Sequence, residues 1–411
     1  FTNTPLKDLV PESLLHWKLS GQPLGVKTAL EFPIDGREAQ GEVSVAARDT
    51  QLLIPELATP VDHLKGTVVY DVGQGLIVEQ AQAEFLGGEA SFGIKTDKKR
   101  GAVIVSGSGI ADIETINRWQ PMPFSSWLSG ALNYEFSVDL DRVSRLHLVS
   151  DLEGVGVNLP EPIGKKAESA KPLLIEMSFA SEANRFSVAY DQSDSPGFIL
   201  SNGIWGGVQE GYGVGVWYGD ATRDAKPLLN SSQRTDLFIR RKNFDLEPWA
   251  IFASEQFARQ ALTESVSRSG LAADDESGSV TSDKADVGSQ PVRVHFASDK
   301  VVYKDAVIND LTIDAEMAGE QIEASLASQQ VEGIVRLSPE IADFNMKRVF
   351  LAPADETDSK PLSKADRKEL FGQLFDSAWP DFNLKIADFT IFGVSGQKLA
   401  AQYRTDRASR Q

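Results

Sequence analysis

Alternation with a period of two constrains this chain more than any other feature. Leu132, Tyr134, Phe136, Val138 and Leu140 are apolar, and Asn133, Glu135, Ser137 and Asp139 between them are polar. Successive side chains of a strand point to opposite faces, so such a segment has one dry face and one wet face. The pattern recurs at Ala90-Phe92-Ile94, Leu146-Leu148, Leu173-Ile175-Met177-Phe179, Phe186-Val188-Tyr190, Leu237-Ile239, Val292-Val294-Phe296 and Leu311-Ile313-Ala315-Met317. Turn residues punctuate it at Asp35-Gly36, Gly73-Gln74-Gly75, Gly87-Gly88, Pro196-Gly197 and Gly206-Gly207. The reading is an all-β, mostly antiparallel protein of roughly twenty to twenty-five strands with one apolar face per sheet.

Helices are few and short. Asp112 is placed to cap one that runs to Trp119. Asp245-Leu246-Glu247 opens a second, near 245–262, in which Phe244 can staple onto Trp249. A third, near 363–378, presents Leu370, Phe371, Leu374, Phe375 and Ala378 on one side. The first two starts echo each other, since each follows a strand and places acid, aliphatic, acid before a tryptophan. Asp299 to Tyr303 likewise echoes Asp388 to Phe392 at the start of a hairpin. Glu264 to Gln290 is rich in Ser, Gly, Ala and Asp, has no aromatic residue, and carries six acids against two bases. Such a stretch cannot offset its ordering entropy and is expected to be a disordered loop. Pro353 to Ser359 and Glu161 to Pro172 are shorter polar breaks. The expected organisation is a first β segment over 1–263, the loop over 264–290, and a second β segment over 291–411.

Several chemistries are absent. With no cysteine among 411 residues there is no zinc ribbon, thiol catalysis or disulfide scaffold. A net charge of −18 argues against nucleic acid as a partner and against a polybasic membrane anchor. No apolar window is long enough for a membrane-spanning helix. His16, His63, His147 and His295 are scattered without metal-ligand spacing, which favours surface histidines. Gly107-Ser108-Gly109 superficially matches a dinucleotide loop, but Asp112 stands where the third glycine belongs and would repel a pyrophosphate. The acid pairs Asp112/Glu114 and Asp245/Glu247 have the composition of glycosidase carboxylates, yet both sit in first helical turns, where acids favour the dipole. Gly211, Gly213 and Gly215 suit a strand against a crowded neighbour. Asn230-Ser231-Ser232 fits a glycosylation sequon. No catalytic residue, metal ligand or cofactor is expected, and binding or scaffolding is favoured over enzymatic activity.

Two architectures satisfy the alternation. A closed β-sandwich pairs each dry face against another sheet. A long, twisted sheet curled into an open, repeating β-groove leaves the dry face to line a trough for acyl chains. The residues themselves leave both open.

Ser150-Asp151-Leu152-Glu153-Gly154-Val155-Gly156-Val157-Asn158-Leu159-Pro160-Glu161-Pro162-Ile163-Gly164-Lys165 resembles a hallmark stretch of the YhdP/AsmA-like family of bacterial envelope proteins. Leu53 to Leu57, Leu64 to Asp71, Gly75 to Gly88, Val10 to Trp17 and Trp379-Pro380-Asp381-Phe382 are similar to it too, while 264–290 departs from it. The resemblance implies the β-groove, periplasmic and anchored to the inner membrane of a Gram-negative bacterium through parts beyond this internal to C-terminal piece. It also implies transfer of phospholipid between inner- and outer-membrane surfaces in support of the outer-membrane permeability barrier. The lining residues expected on that reading are Phe92, Ile94, Leu132, Tyr134, Phe136, Val138, Leu140, Leu148, Phe186, Val188 and Tyr190. The alternatives are a non-catalytic sandwich scaffold of the envelope and a carbohydrate-active enzyme using an acidic pair.

Overall fold

A computed structural model describes residues 18–21, 25–31, 40–54, 59–119, 125–141, 143–179, 183–207, 213–226, 234–252, 255, 291–304, 306–319, 321–338, 341–351, 381–391 and 394–404. The chain divides into two compact units, Phe1–Glu210 and Gly211–Gln411. The expected helix near 363–378 and the acidic stretch 264–290 lie outside the described residues, as do Pro353 to Ser359, His16 and Asn230.

The first unit is an open antiparallel sheet. Its early strands are β1 (Lys18–Gly21), β2 (Gly25–Glu31), β3 (Gln40–Ile54), β4 (Thr59–Asp71), β5 (Gly75–Phe85), β6 (Gly88–Asp97) and β7 (Ala102–Asp112). Helix α1 (Ile113–Trp119) leads to β8 (Leu128–Leu140), β9 (Ser144–Ser150), β10 (Val155–Val157), β11 (Leu173–Phe179), β12 (Ala183–Tyr190) and β13 (Ile199–Gly207). Each strand from β3 to β9 pairs antiparallel with the next, and the ladder continues β9–β11–β12–β13. β1 and β2 share one side of β3, while β10 pairs with the start of β8. No described pairing joins β13 back to β1 or β2, so this sheet is not a barrel.

Register shifts interrupt the β3–β4, β4–β5 and β5–β6 ladders. Bulges sharpen local twist and bend. Consistent with that, β5 and β7 come within 8 Å at their Cα atoms, against about 9.6 Å for two flat strand spacings. The coiled dry face packs on itself there: Leu52, Val61, Leu64, Val78, Ala81, Ala83, Ile94 and Val103 form one buried cluster.

The second unit contains β14 (Gly213–Gly219), β15 (Thr235–Asp245), β16 (Val292–Tyr303), β17 (Ala306–Ala318) and β18 (Gln321–Ala327). It continues with β19 (Val331–Leu337), β20 (Ile341–Leu351), β21 (Asp381–Ile391) and β22 (Val394–Tyr403). Three junctions are parallel, β14–β15, β15–β16 and β20–β21; the others are antiparallel. A parallel neighbour cannot be reached by a tight turn and needs a crossover of a dozen residues or more. Residues 246–291 and 352–380 supply two of these.

Both helix starts behave as their sequences predict. The Asp112 carboxylate accepts the Thr115 N–H at 2.8 Å and the Thr115 hydroxyl at 2.9 Å. These bonds hold its pKa below the usual carboxylate value. Asp245 accepts the Glu247 N–H at 3.1 Å, residues 247–252 are helical, and Phe244 stacks on Trp249 at 6.3 Å between centroids. The hairpin echo takes structural form as well. β16–β17 and β21–β22 each follow a parallel junction, and each carries one left-handed residue in its second strand, Asp310 (φ 51°) and Lys398 (φ 59°).

Candidate functional site

Residues directly opposite one another in paired strands project to the same face, so the registers assemble the dry faces row by row. In the first unit one row runs Val78, Ile94, Val105, Val138, Leu146, Met177 and Phe186 across seven strands. The next runs Ala81, Phe92, Gly107, Phe136, Leu148, Ile175 and Val188. Seven of the expected lining residues lie in these two rows: Ile94, Phe92, Val138, Phe136, Leu148, Phe186 and Val188. Leu140, Leu132, Tyr134 and Tyr190 lie on the same face nearer the strand ends.

Cover over this face is uneven. Ile94 belongs to the self-packed cluster of β3–β7, with Phe92 and Leu140 against it. Leu132 and Tyr134 are both 8% exposed, in a second cluster with Ala111, Ile113, Leu152 and Val155; Phe136, Leu148 and Tyr190 pack on its margin. Val138, Phe186 and Val188 are half-buried.

The second cluster exists because the connection 151–172 folds onto one end of the strands. The family-like stretch is therefore an ordered element, although its composition reads as a polar break. The Lys165 ammonium donates to the carbonyl of Leu152 at 2.9 Å and to that of Val155. Burial, with Lys171 nearby, lowers its pKa. Lys171 donates to the Pro162 carbonyl at 2.6 Å and pairs with Asp191 at 3.0 Å. The Tyr190 hydroxyl donates to the Ile163 carbonyl at 2.5 Å, and burial raises its pKa. Gly109 makes room for the ring beside it, since a Cβ there would stand 2.6 Å from the Tyr134 hydroxyl. Burial raises the Tyr134 pKa as well.

The second unit holds a longer array that the expected lining set did not include. Val216, Leu237, Val294, Ala315, Ala324, Val335, Phe344, Leu384 and Ala401 stand opposite one another across all nine strands. Every one of them is half-buried. A flanking row runs Val292, Met317, Ile322, Leu337, Ala342, Phe382 and Tyr403. Ile239, Phe296, Ile313 and Leu326 begin a third on the other side. The signal was present, since Ile322-Ala324-Leu326 alternates with Glu323 and Ser325 as cleanly as any segment.

A closed sandwich would bury such rows under a second sheet. Half-burial along nine successive strands instead fits side chains that shield one another, with a local cover only at β19–β21, where Val335, Phe344 and Leu384 pack against buried Val331, Met346, Val349 and Ile386. The opposite faces are wet. In the second unit Arg293 pairs with Glu316 at 3.4 Å and Arg336 with Glu323 at 2.8 Å. In the first unit a depression of about 900 Å³ opens beside Lys65, Gln82, Glu84, Glu89, Ser91, Ser108 and Glu135.

The remaining candidates resolve as surface or structural groups. His63 pairs with Asp49 at 2.9 Å, which raises its pKa; His147 faces Glu176 at 3.6 Å and His295 faces Asp314 at 2.8 Å. Gly107 and Gly109 lie inside β7 rather than in a phosphate loop. Gly215 leaves space for the Trp217 ring. Among the described residues no group of His, Asp and Glu could hold a metal ion, and no helix is long and apolar enough to cross a membrane.

A family model described as YhdP protein matches residues 1–410. Neither the curated proteins nor the solved structures offer a match. A match of that extent, over an open sheet with uncovered apolar rows, means that the chain belongs to the YhdP family, whose theme is lipid transport in the bacterial envelope.

Proposed function

We propose that the dry faces carry phospholipid acyl chains, and that the protein serves as a segment of a bridge for phospholipid between inner and outer membranes, supporting the outer-membrane permeability barrier. The observation that carries this reading is the half-buried row from Val216 to Ala401. Eight strand spacings make it roughly 38 Å long. That exceeds the ~15 Å that one leaflet contributes to a bilayer's hydrocarbon core. Each CH₂ laid against it contributes about 0.8 kcal/mol, while headgroups remain in water. Apolar contact is non-directional, so successive positions along the row are close in energy and a chain slides without covalent chemistry. The setting that accords with this role is the periplasm, with an inner-membrane anchor supplied by other parts of the protein. No residue is assigned a catalytic task.

Native mass spectrometry of the purified chain mixed with extracted phospholipid tests the reading. Bound phospholipid that is lost in Val138→Asp and Val294→Asp, with circular dichroism unchanged, is the expected result. A chain that binds no lipid overturns it.

A further inference from the structure

On the face of the first unit opposite its packed clusters, strands β4–β9 form the depression of about 900 Å³. That volume is the size of a small-molecule site. One register row crosses it: Lys65, Gln82, Ser91, Ser108, Glu135 and Val149 stand opposite one another in six successive strands. Five strand spacings make the row about 24 Å long. Its two central residues are short serines, and the exposed Gln82 and Glu135 on either side of them are long, so the row is a trough. Beside it Glu84 stands opposite Glu89, and Ile110, 46% exposed, stands opposite Asn133.

The polar face of the second unit satisfies itself, since Arg293 with Glu316, Arg336 with Glu323 and Lys347 with Glu332 join across its strands. The trough does not. Among the described residues the side chains of Lys65, Gln82, Ser91, Ser108 and Glu135 make no hydrogen bond or ion pair with other protein groups. The row therefore offers an ammonium and an amide at one end, two hydroxyls in the middle and a carboxylate beyond them. The carboxylates of Glu84, Glu89, Glu135 and Asp151 outnumber Lys65 and His63 around it, which disfavours an anion such as phosphate. No group of His, Asp and Glu among the described residues could hold a metal ion. A neutral, hydroxyl-rich chain suits this lining: its hydroxyls donate to the carboxylates in charge-assisted bonds and accept from the ammonium and amides. Its C–H edges rest on Ile110 and Val149. An acetamido group adds one donor, one acceptor and a methyl, which match the Gln82 and Asn133 amides and Ile110. The Asn133 amide is only lightly engaged, 3.5 Å from the Glu153 carbonyl.

We infer that this trough binds an oligosaccharide bearing acetamido groups, laid across β4–β9 on the face away from the apolar rows. The test is calorimetric titration of the full chain with chitotetraose, the tetramer of N-acetylglucosamine, and with cellotetraose, which has the same length and no acetamido groups. Saturable binding of chitotetraose is expected, with cellotetraose about tenfold weaker. Gln82→Ala/Glu135→Ala should weaken chitotetraose by about tenfold or more with circular dichroism unchanged, since both side chains are exposed. Lys95→Ala, on the same face outside the depression, should leave the affinity as it is. No saturable binding of chitotetraose at millimolar concentration overturns the inference, as does full affinity in the double variant or equal affinity for cellotetraose. Spermine that displaces chitotetraose and binds more tightly overturns it too, because the carboxylates then serve a cation. Phospholipid binding by the apolar rows is a separate readout, and none of these results moves it.

Discussion

The two units use the same alternation to different ends. In the first, the dry face is largely converted into core: bulged strands coil it onto itself across β3–β7, and α1 with the 151–172 connection roofs its far end. In the second, the Val216–Ala401 row stays half-buried across every strand, the sheet turns parallel three times, and coiling around β17–β21 gathers a smaller buried cluster of Val331, Met346, Val349 and Ile386. An apolar row is thus core or open surface according to where its strands bulge and coil and what the connections between them fold over, since the alternation is the same in both units.

Tyr134→Asp should be the most damaging substitution. It places a charge under the roof with no partner and is expected to cost about 3–5 kcal/mol, unfolding the first unit in a urea titration. Val294→Asp, on the open stretch of the row, should leave the unfolding free energy from the same titration within about 1 kcal/mol of wild type while abolishing lipid binding. If the two substitutions cost the same stability, the contrast between roofed and open rows fails. Lys165→Met would sharpen it from another side. Loosening the roof should expose Leu132 and Tyr134, read as faster hydrogen exchange in β8, without change in β17–β19.

A smaller effect concerns acid. Burial opposes the charge on Asp191, but hydrogen bonds from Ser195 and Lys171 prevail and hold its pKa below the ordinary value. A depressed carboxylate contributes stability above its unfolded pKa, about 3.9, and loses it as pH falls through the lower folded value. Asp191→Asn should therefore lower the Tm near neutral pH and flatten its decline below about pH 4. A variant whose acid limb parallels wild type would remove Asp191 from the roof's electrostatics. Asp112→Ala, which only uncaps α1, should shift the Tm by about 2 °C.

The dry face was legible because its cause is local. Leu132-Tyr134-Phe136-Val138 alternates whatever surrounds it, and Asp112 caps a helix through a residue three positions on. Connections were harder to read. Glu161 to Pro172 has the composition of a loop, yet lysine-to-carbonyl bonds, a tyrosine-to-carbonyl bond and an ion pair order it, and the last two join residues far apart in sequence: Tyr190 with Ile163, Lys171 with Asp191. Nothing in a period of two reveals them. The open rows of the second unit were readable but uncounted, since Ala315 and Ala324 look unremarkable until register sets them between Val294 and Val335. Strand direction was the least accessible feature, because parallel and antiparallel neighbours carry the same alternation.

The parallel junctions have an evolutionary consequence. A hairpin turn fixes the register of the strands it joins, so inserting a residue there disturbs the rows on both sides. A crossover such as 246–291 does not transmit its length to the sheet, and each doubling of such a connection costs only about 0.6 kcal/mol of closure entropy. These segments are where the sequence is free to drift, gain or lose residues while the row from Val216 to Ala401 keeps its alignment. Insertions tolerated between β15 and β16 and between β20 and β21, but not within the β17–β18 hairpin, would be the imprint of that freedom.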